Sequence, residues 1–174
     1  VRSAGVFFQG TLELSGGAIV LAGLRYDNHS FTASDRVPVT DDNADDSGTR
    51  SMDAVSPSIG VSVPAGSSVN FFGSISTVFE TPTTSELSNQ QGAAGGFNPE
   101  LDPMRGESYE LGVRGRLGSN AVFEVTGYNT NLRNELVRFE VEGLDDVSFF
   151  RNTGESRHRG MEATLSVVSN DGLV

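Results

Sequence analysis

Residues 51–80 read SMDAVSPSIGVSVPAGSSVNFFGSISTVFE, and their alternation decides the fold. Ile59, Val61 and Val63 take every second position, with Ser58, Gly60 and Ser62 opposing them. After Ala65-Gly66-Ser67-Ser68 the pattern resumes. Val69, Phe71, Gly73, Ile75 and Phe79 fall on one side and Asn70, Ser74, Ser76 and Glu80 on the other, with Phe72 and Val78 as exceptions. Successive side chains of an extended chain point to opposite faces, so both runs read as strands with one apolar and one polar face. The short Gly-bearing link between them reads as a tight hairpin.

The same unit recurs on both sides. AGVFFQGTLEL (4–14) and AIVLAGLRYDNHSF (18–31) are joined at Ser15-Gly16-Gly17, and GESYELGVRGRL (106–117) turns at Gly118-Ser119-Asn120 into AVFEVTGYNTNL (121–132). A last run, RNTGESRHRGMEATLSVV (151–168), turns at Ser169-Asn170-Asp171-Gly172. Tyr109, Leu111, Val113 and Leu117 oppose Ser108, Glu110, Arg114 and Arg116, while Met161, Ala163, Leu165 and Val167 oppose Glu162, Thr164 and Ser166. In the sixth run Val122, Glu124, Thr126 and Tyr128 compete with Phe123 and Val125, and periodicity leaves its facing open.

Between the hairpins lie long polar stretches: 32–50, 81–105 and 134–152. Short links at one end and long ones at the other, between strands of about ten residues, are the layout of an outer-membrane barrel. The expectation is an all-β chain of antiparallel up-and-down strands, about seven of them, forming an incomplete transmembrane β-barrel. Alternation of this kind also describes a half-buried soluble sheet, which stays open on periodicity alone.

Composition narrows the function. With 12 Lys and Arg against 23 Asp and Glu, the net charge of −11 disfavours attraction to a phosphate backbone, so nucleic acid is not an expected partner. No cysteine is present, which removes disulfides and thiolate metal sites. No apolar stretch approaches the length of a membrane helix, and a membrane strand needs none. No Gly-x-Ser-x-Gly elbow, phosphate-cradling loop or apolar-set carboxylate pair appears, so neither an enzyme nor a cofactor is expected. The first residue, Val1, and the apolar Leu173 and Val174 after a turn read as cut ends.

The phrases LAGLRYDNHSF, SPSIGVSV, VNFFGSISTVFETPTTSEL, FNPELDPMRGESYELGVRGRL and FFRNTGESRHRGMEATL, in that order, resemble the distal barrel of TonB-dependent outer-membrane receptors. The likeness covers nearly all of residues 1–174. It departs at Val78-Phe79-Glu80, where the family often carries a basic residue, and at Met104-Arg105, where an acidic or small polar residue is common. It implies an outer-membrane location in a Gram-negative bacterium and TonB-energised uptake of a scarce ligand such as a ferric siderophore, cobalamin or an oligosaccharide. It also implies a plug domain N-terminal to the barrel and absent from this chain, through which TonB acts, and a full barrel of about 22 strands. Expected partners are therefore TonB, the plug, the ligand, and outer-membrane lipid with its lipopolysaccharide. The readings from other classes are a passive porin-like or adhesin barrel and a soluble β-sheet binding module.

Within a barrel, Arg25, Asp27, Glu110, Arg114, Arg116 and Glu162 are expected to face the lumen, where charges of both signs hold the plug, line the ligand path or keep the lumen wet. The three long loops are the expected ligand contacts. Asp41, Asp42, Asp45 and Asp46 stand in the acidic loop DDNADDSG. There Asn43, Asp45, Ser47 and Gly48 approach the start of a calcium loop, but Ala54 stands where the bidentate Glu belongs, so a solvated acidic loop is expected. His29 and His158 are too few and too scattered for a metal cage. If Met161 and Leu165 face lipid, His158 faces inward while Arg157 and Arg159 share the lipid parity. These arginines then sit at headgroup depth, beside lipopolysaccharide phosphates, or at a solvated strand end where they pair with local acids.

Overall fold

The computed structural model describes residues 1–40, 43–89, 95–142 and 148–168. Seven long strands form one antiparallel sheet: β1 (Arg2–Glu13), β2 (Ile19–Ala33), β3 (Gly48–Ala65), β4 (Val69–Glu80), β5 (Met104–Leu117), β6 (Ala121–Arg133) and β9 (Glu155–Val167), each beside the next. Three smaller elements lie in the long connections: a one-turn helix α1 (Thr84–Ser88) and the two-stranded ribbon of β7 (Leu136–Phe139) and β8 (Phe149–Asn152). The sheet does not close, since β1 and β9 are its two edges. In lipid such edges leave backbone donors and acceptors unpaired, so this is an incomplete barrel rather than a finished one.

The three tight turns within the described residues fall at the expected links, and Gly16, Gly17, Gly66 and Gly118 all take positive φ there, which a side chain resists. The expected turn at 169–172 lies outside the described residues. β3 begins at Gly48 and β5 at Met104, so the loops are shorter than the sequence suggests. Near their loop ends the strands keep pairing after the apolar alternation has stopped, and periodicity has no means of seeing that.

Register settles which side chains share a face. Directly opposed residues on paired strands point the same way, and this relation runs unbroken from β1 to β9. One face carries Phe8, Leu24, Ile59, Ile75, Leu111, Val125, Met161 and Leu165. The sixth strand follows: Phe123 and Val125 belong to the apolar face, Val122, Glu124, Thr126 and Tyr128 to the polar one.

The burial is inverted relative to a water-soluble sheet. Leu111 is 72 % and Met161 79 % exposed on the apolar face, whereas Met52 and Ala54, on the polar face, are 5 % and 3 % exposed. A contiguous apolar surface spanning seven strands is an aggregation hazard in water and a natural outer wall in hydrocarbon.

Strand stagger points the same way. One row of register partners crosses the sheet through Gln9, Gly23, Ser58, Ser76, Ser108, Thr130 and His158. It lies four residues from the tight-turn end of β2 at Ile19 but nine from that of β6 at Ala121, a drift of five residues over four strand spacings. With a rise of about 3.3 Å per residue and a spacing of about 4.8 Å, the strands lean by roughly 40°. That is the tilt of a membrane barrel.

Candidate functional site

All six charged residues read from the sequence lie on the polar face, but they do not form one cluster. Arg25 and Asp27, two apart on β2, make a two-pronged ion pair, Nε to Oδ2 at 2.5 Å and Nη2 to Oδ1 at 2.6 Å. The pair lies across Gly5 of β1, where a Cβ would stand 2.7 Å from Asp27 Oδ1, the tip of that side chain, so a larger residue there would displace the carboxylate. Three strands away on β5, Glu110 accepts from Ser74 Oγ at 3.4 Å. Arg114 lies 5.6 Å from the centre of the Phe72 ring and stands opposite Glu124. Arg116 pairs in register with Val122 near the tight-turn end, and Glu162 of β9 stands opposite Thr126.

The apolar exceptions on this face have a local cause. Phe72 is opposite Gly112, and a Cβ there would lie 2.4 Å from its ring. Tyr128 covers Gly160 in the same way, its hydroxyl 2.7 Å from the position a Cβ would take. Each ring shields a glycine on the neighbouring strand, which restores packing that the missing side chain would otherwise leave open.

At the loop end the polar face is covered. Pairing between β3 and β4 stops at Ser58 and Ser76, while β2–β3 and β4–β5 continue as separate ribbons. The segment after β4 folds into the gap. Phe31, Met52, Leu87 and Leu101 form a buried cluster, with Phe79, Phe97, Leu136 and Phe150 packed on it. Helix α1 starts with a reciprocal capping box: Thr83 Oγ1 accepts from the Glu86 N–H at 3.3 Å, and Glu86 Oε2 accepts from the Thr83 N–H at 2.7 Å.

Arg50 fixes this cap to the sheet by donating to the carbonyls of Pro99 and Leu101, both at 2.8 Å. Asn152 ties the cap to the following connection. Its Oδ1 accepts from the Asp102 N–H at 2.8 Å, and its Nδ2 donates to the carbonyls of Asp102 at 2.9 Å and Asn134 at 2.7 Å. Two of the long loops are thereby tied into one folded unit.

Between this unit and the polar ends of β6 and β9 lies a cleft of about 430 Å³. Glu80, Glu86, Glu135, His158, Thr130 and Met104 are among its lining residues. His158 was expected to face inward, and Thr130 of β6 stands opposite it. Arg50 and Asn152 were not singled out in the sequence, and Glu80 was noted there only for its polar face and for standing where the family often carries a basic residue. Only the capping box, readable as Thr83-Thr84-Ser85-Glu86, carried a signal for this region.

Of the acidic-loop candidates, Asp41 and Asp42 lie outside the described residues. Asp45 Oδ1 accepts from the Ser47 N–H at 2.9 Å, and the bonds from Ser47 hold its carboxyl below the ordinary carboxylate range. The Asp46 N–H donates to Asp35 Oδ2 at 3.3 Å. Their carboxylates do not converge with other His, Asp or Glu side chains into a group able to hold a metal ion, among the described residues.

Comparison with known proteins gives a consistent picture. The family model described as "TonB dependent receptor-like, beta-barrel" matches residues 1–171. Among solved structures, the Serratia marcescens hemophore receptor HasR, in complex with its hemophore HasA and heme, is similar at 21% identity and a TM-score of 0.67. That match covers 94% of this chain and 31% of HasR. The copper transporter OprC is similar at 17% identity and a TM-score of 0.77, over 97% of this chain and 27% of its own. The FrpB iron transporter from Neisseria meningitidis is similar at 18% identity and a TM-score of 0.69, over 97% and 24%. These identities establish the fold, and the chain spans less than a third of each of these proteins. Family and fold agree with the outward apolar face, the strand lean and the one-sided loops. The chain belongs to the TonB-dependent receptor family and carries seven strands of its β-barrel.

Proposed function

We propose that this chain is part of the wall of an outer-membrane receptor that takes up a scarce ligand on energy relayed through TonB. The observation that carries the reading is the inverted burial, with an unbroken apolar face outside and a charged, loop-covered face opposite it. A sheet so built needs hydrocarbon on one side and water on the other. Family members are receptors and transporters of the outer membrane rather than enzymes, which supports transport over catalysis.

In this reading Arg25, Asp27, Glu110, Arg114, Arg116 and Glu162 face the lumen. The spread of both signs over β2, β5 and β9 suits contacts with a plug domain, supplied by the N-terminal part of the intact protein, better than one ligand pocket. The ligand meets the receptor higher, where the fused loops overhang the cleft near His158. The similar proteins include transporters of iron and copper and a receptor complex that holds heme, so metal-bearing ligands head the test panel.

The test is accumulation of labelled ferric siderophores, heme, copper, cobalamin and oligosaccharides by cells carrying the intact receptor, with and without TonB. Uptake of one ligand that disappears without TonB is the expected result. Uptake that is equal in both strains would establish a passive barrel instead.

A further inference from the structure

A second joint brings the connection between β2 and β3 into the same folded unit. Asp35 closes the base of that connection. Its Oδ1 accepts from the Val37 N–H at 2.8 Å and its Oδ2 from the Asp46 N–H at 3.3 Å, while its own N–H donates to Ser47 Oγ at 2.9 Å. Residues 45–48 then lie against Gly95, Gly96 and Phe97, backbone to backbone. A Cβ on Gly95 would run into the Asp45 carbonyl, and one on Gly96 would stand 3.0 Å from the carbonyl oxygen of Ser47. From the other side, a Cβ on Gly48 would stand 3.2 Å from the Phe97 nitrogen. Main-chain atoms have no rotamer by which to move aside, so a side chain at Gly95 would force the two segments apart.

The three connections also share one core. Phe31 and Met52, which flank the first connection, bury against Leu87 and Leu101 of the second, and Leu136 and Phe150 of the third pack on the same cluster. Phe97, next to the glycine pair, meets Phe31 edge-on with ring centres 6.4 Å apart. On the far side Asn89 Nδ2 donates to the Ser148 carbonyl at 2.9 Å, beside the bonds that Asn152 makes to Asp102. A one-turn helix such as α1 and a two-stranded ribbon such as β7–β8 do not hold by themselves in water, so each depends on this core.

We propose that the three connections form one lid, closed over the cleft beside His158 before any ligand is present, and that its parts lose structure together rather than loop by loop. Segments that bury one cluster in common open as one cooperative unit. Arg50 is the lid's fastening to the wall, donating to the Pro99 and Leu101 carbonyls with Asp102 Oδ1 3.6 Å from its Nη2. Its role in access rests on the uptake reading given above: entry to the cleft is then set by one equilibrium instead of three.

The experiment is hydrogen–deuterium exchange of the intact receptor in mild detergent without ligand, read at single amides. Asp35, donating to Ser47 Oγ, reports the first connection; Leu87, donating to the Thr83 carbonyl at 3.0 Å, the second; Thr153, donating to the Glu135 carbonyl at 2.7 Å, the third. Gly95→Val alters only the joint between the first two, yet it is expected to speed exchange at all three amides by about fivefold or more. Asn152→Ala, at the other joint, is expected to speed Asp35 as well as Thr153. Gly154→Ala, where a Cβ would meet nothing within 4 Å, is expected to match the wild type. Acceleration at Asp35 and Leu87 with Thr153 unchanged in Gly95→Val would overturn the proposal, as would a wild type in which the three amides exchange unprotected. Protected amides of β5 and β6, followed in the same run, report that the barrel is folded. Should Gly95→Val not fold, Asn152→Ala alone is read, and no change at Asp35 overturns the lid. These amides respond whether or not the receptor transports. Absence of TonB-dependent uptake therefore refutes the receptor reading and leaves the lid standing.

Discussion

Leu111→Arg is expected to destabilise the barrel far more than Ser74→Arg, although the two positions are neighbours on adjacent strands. Leu111 is 72 % exposed and lies between Gly73 and Gly127 in its row, so replacing it breaks little packing within the protein. What changes is the medium the side chain enters. On β5 the apolar face runs from Tyr109 to Leu117, about 20 Å of height at roughly 2.5 Å per residue, which puts Val113 near the middle and Leu111 about 5 Å above it. An arginine on the lipid face costs about 2 to 4 kcal/mol at the midplane and about 0 to 1 at the interface, so about 2 to 3 kcal/mol is expected here. That is a shift of roughly 30- to 150-fold in the folding equilibrium. Ser74 stands one register step away but on the polar face, opposite Glu110. An arginine there enters water beside a carboxylate and should change stability by less than about 0.5 kcal/mol. The assay is urea-dependent folding of the intact receptor into phospholipid vesicles, followed by the gel shift of the folded barrel. Equal costs at the two positions, or a larger cost at Ser74, would refute the assignment of the faces.

Three further outcomes follow from the contacts. Gly112→Val should cost about 1 to 3 kcal/mol, because a Cβ would press on the Phe72 ring at 2.4 Å, while Gly10→Ala, with nothing within 4 Å, should be neutral in the same folding assay. Asn152→Ala removes three bonds that tie Asp102 and Asn134 together and should loosen the cap by about 1 to 2 kcal/mol, read as faster protease nicking within 134–152 while the barrel stays folded. The carboxyl of Asp45 titrates below its ordinary 3.8 in the folded loop, so its contribution is fully present above that value and is lost as pH falls through the lower folded one. The Ser47 amide resonance should therefore stay fixed from pH 7 to about 5 and move only in stronger acid. A midpoint near pH 6 would contradict the bond to Asp45.

Much of this molecule was legible in the sequence, because a membrane strand must alternate. Ile59, Val61 and Val63 had no other way to place three β-branched side chains on lipid, and tight links such as Ala65-Gly66-Ser67-Ser68 fixed where the chain reversed. Those two constraints gave seven strands, their antiparallel order and the parity of Arg25, Asp27, Glu110, Arg114, Arg116 and Glu162. The sixth strand escaped because Val122 and Tyr128 mimic an apolar face. Only pairing of Thr126 with Glu162 and Val125 with Ala163 shows which side is which. The cap escaped for a different reason. Phe31, Met52, Leu87 and Leu101 are scattered over 70 residues and share no period, since the ends of β2 and β3 meet residues of the connection after β4 rather than neighbours along one strand. Asn152, which joins two loops through its amide, looks in the sequence like any polar loop residue. Alternation is dictated locally by the two solvents on either side of a sheet, and so the chain carries it in plain sequence. The meeting of Arg50 with Pro99 and of Asn152 with Asp102 depends on register and loop closure, which tertiary structure alone decides.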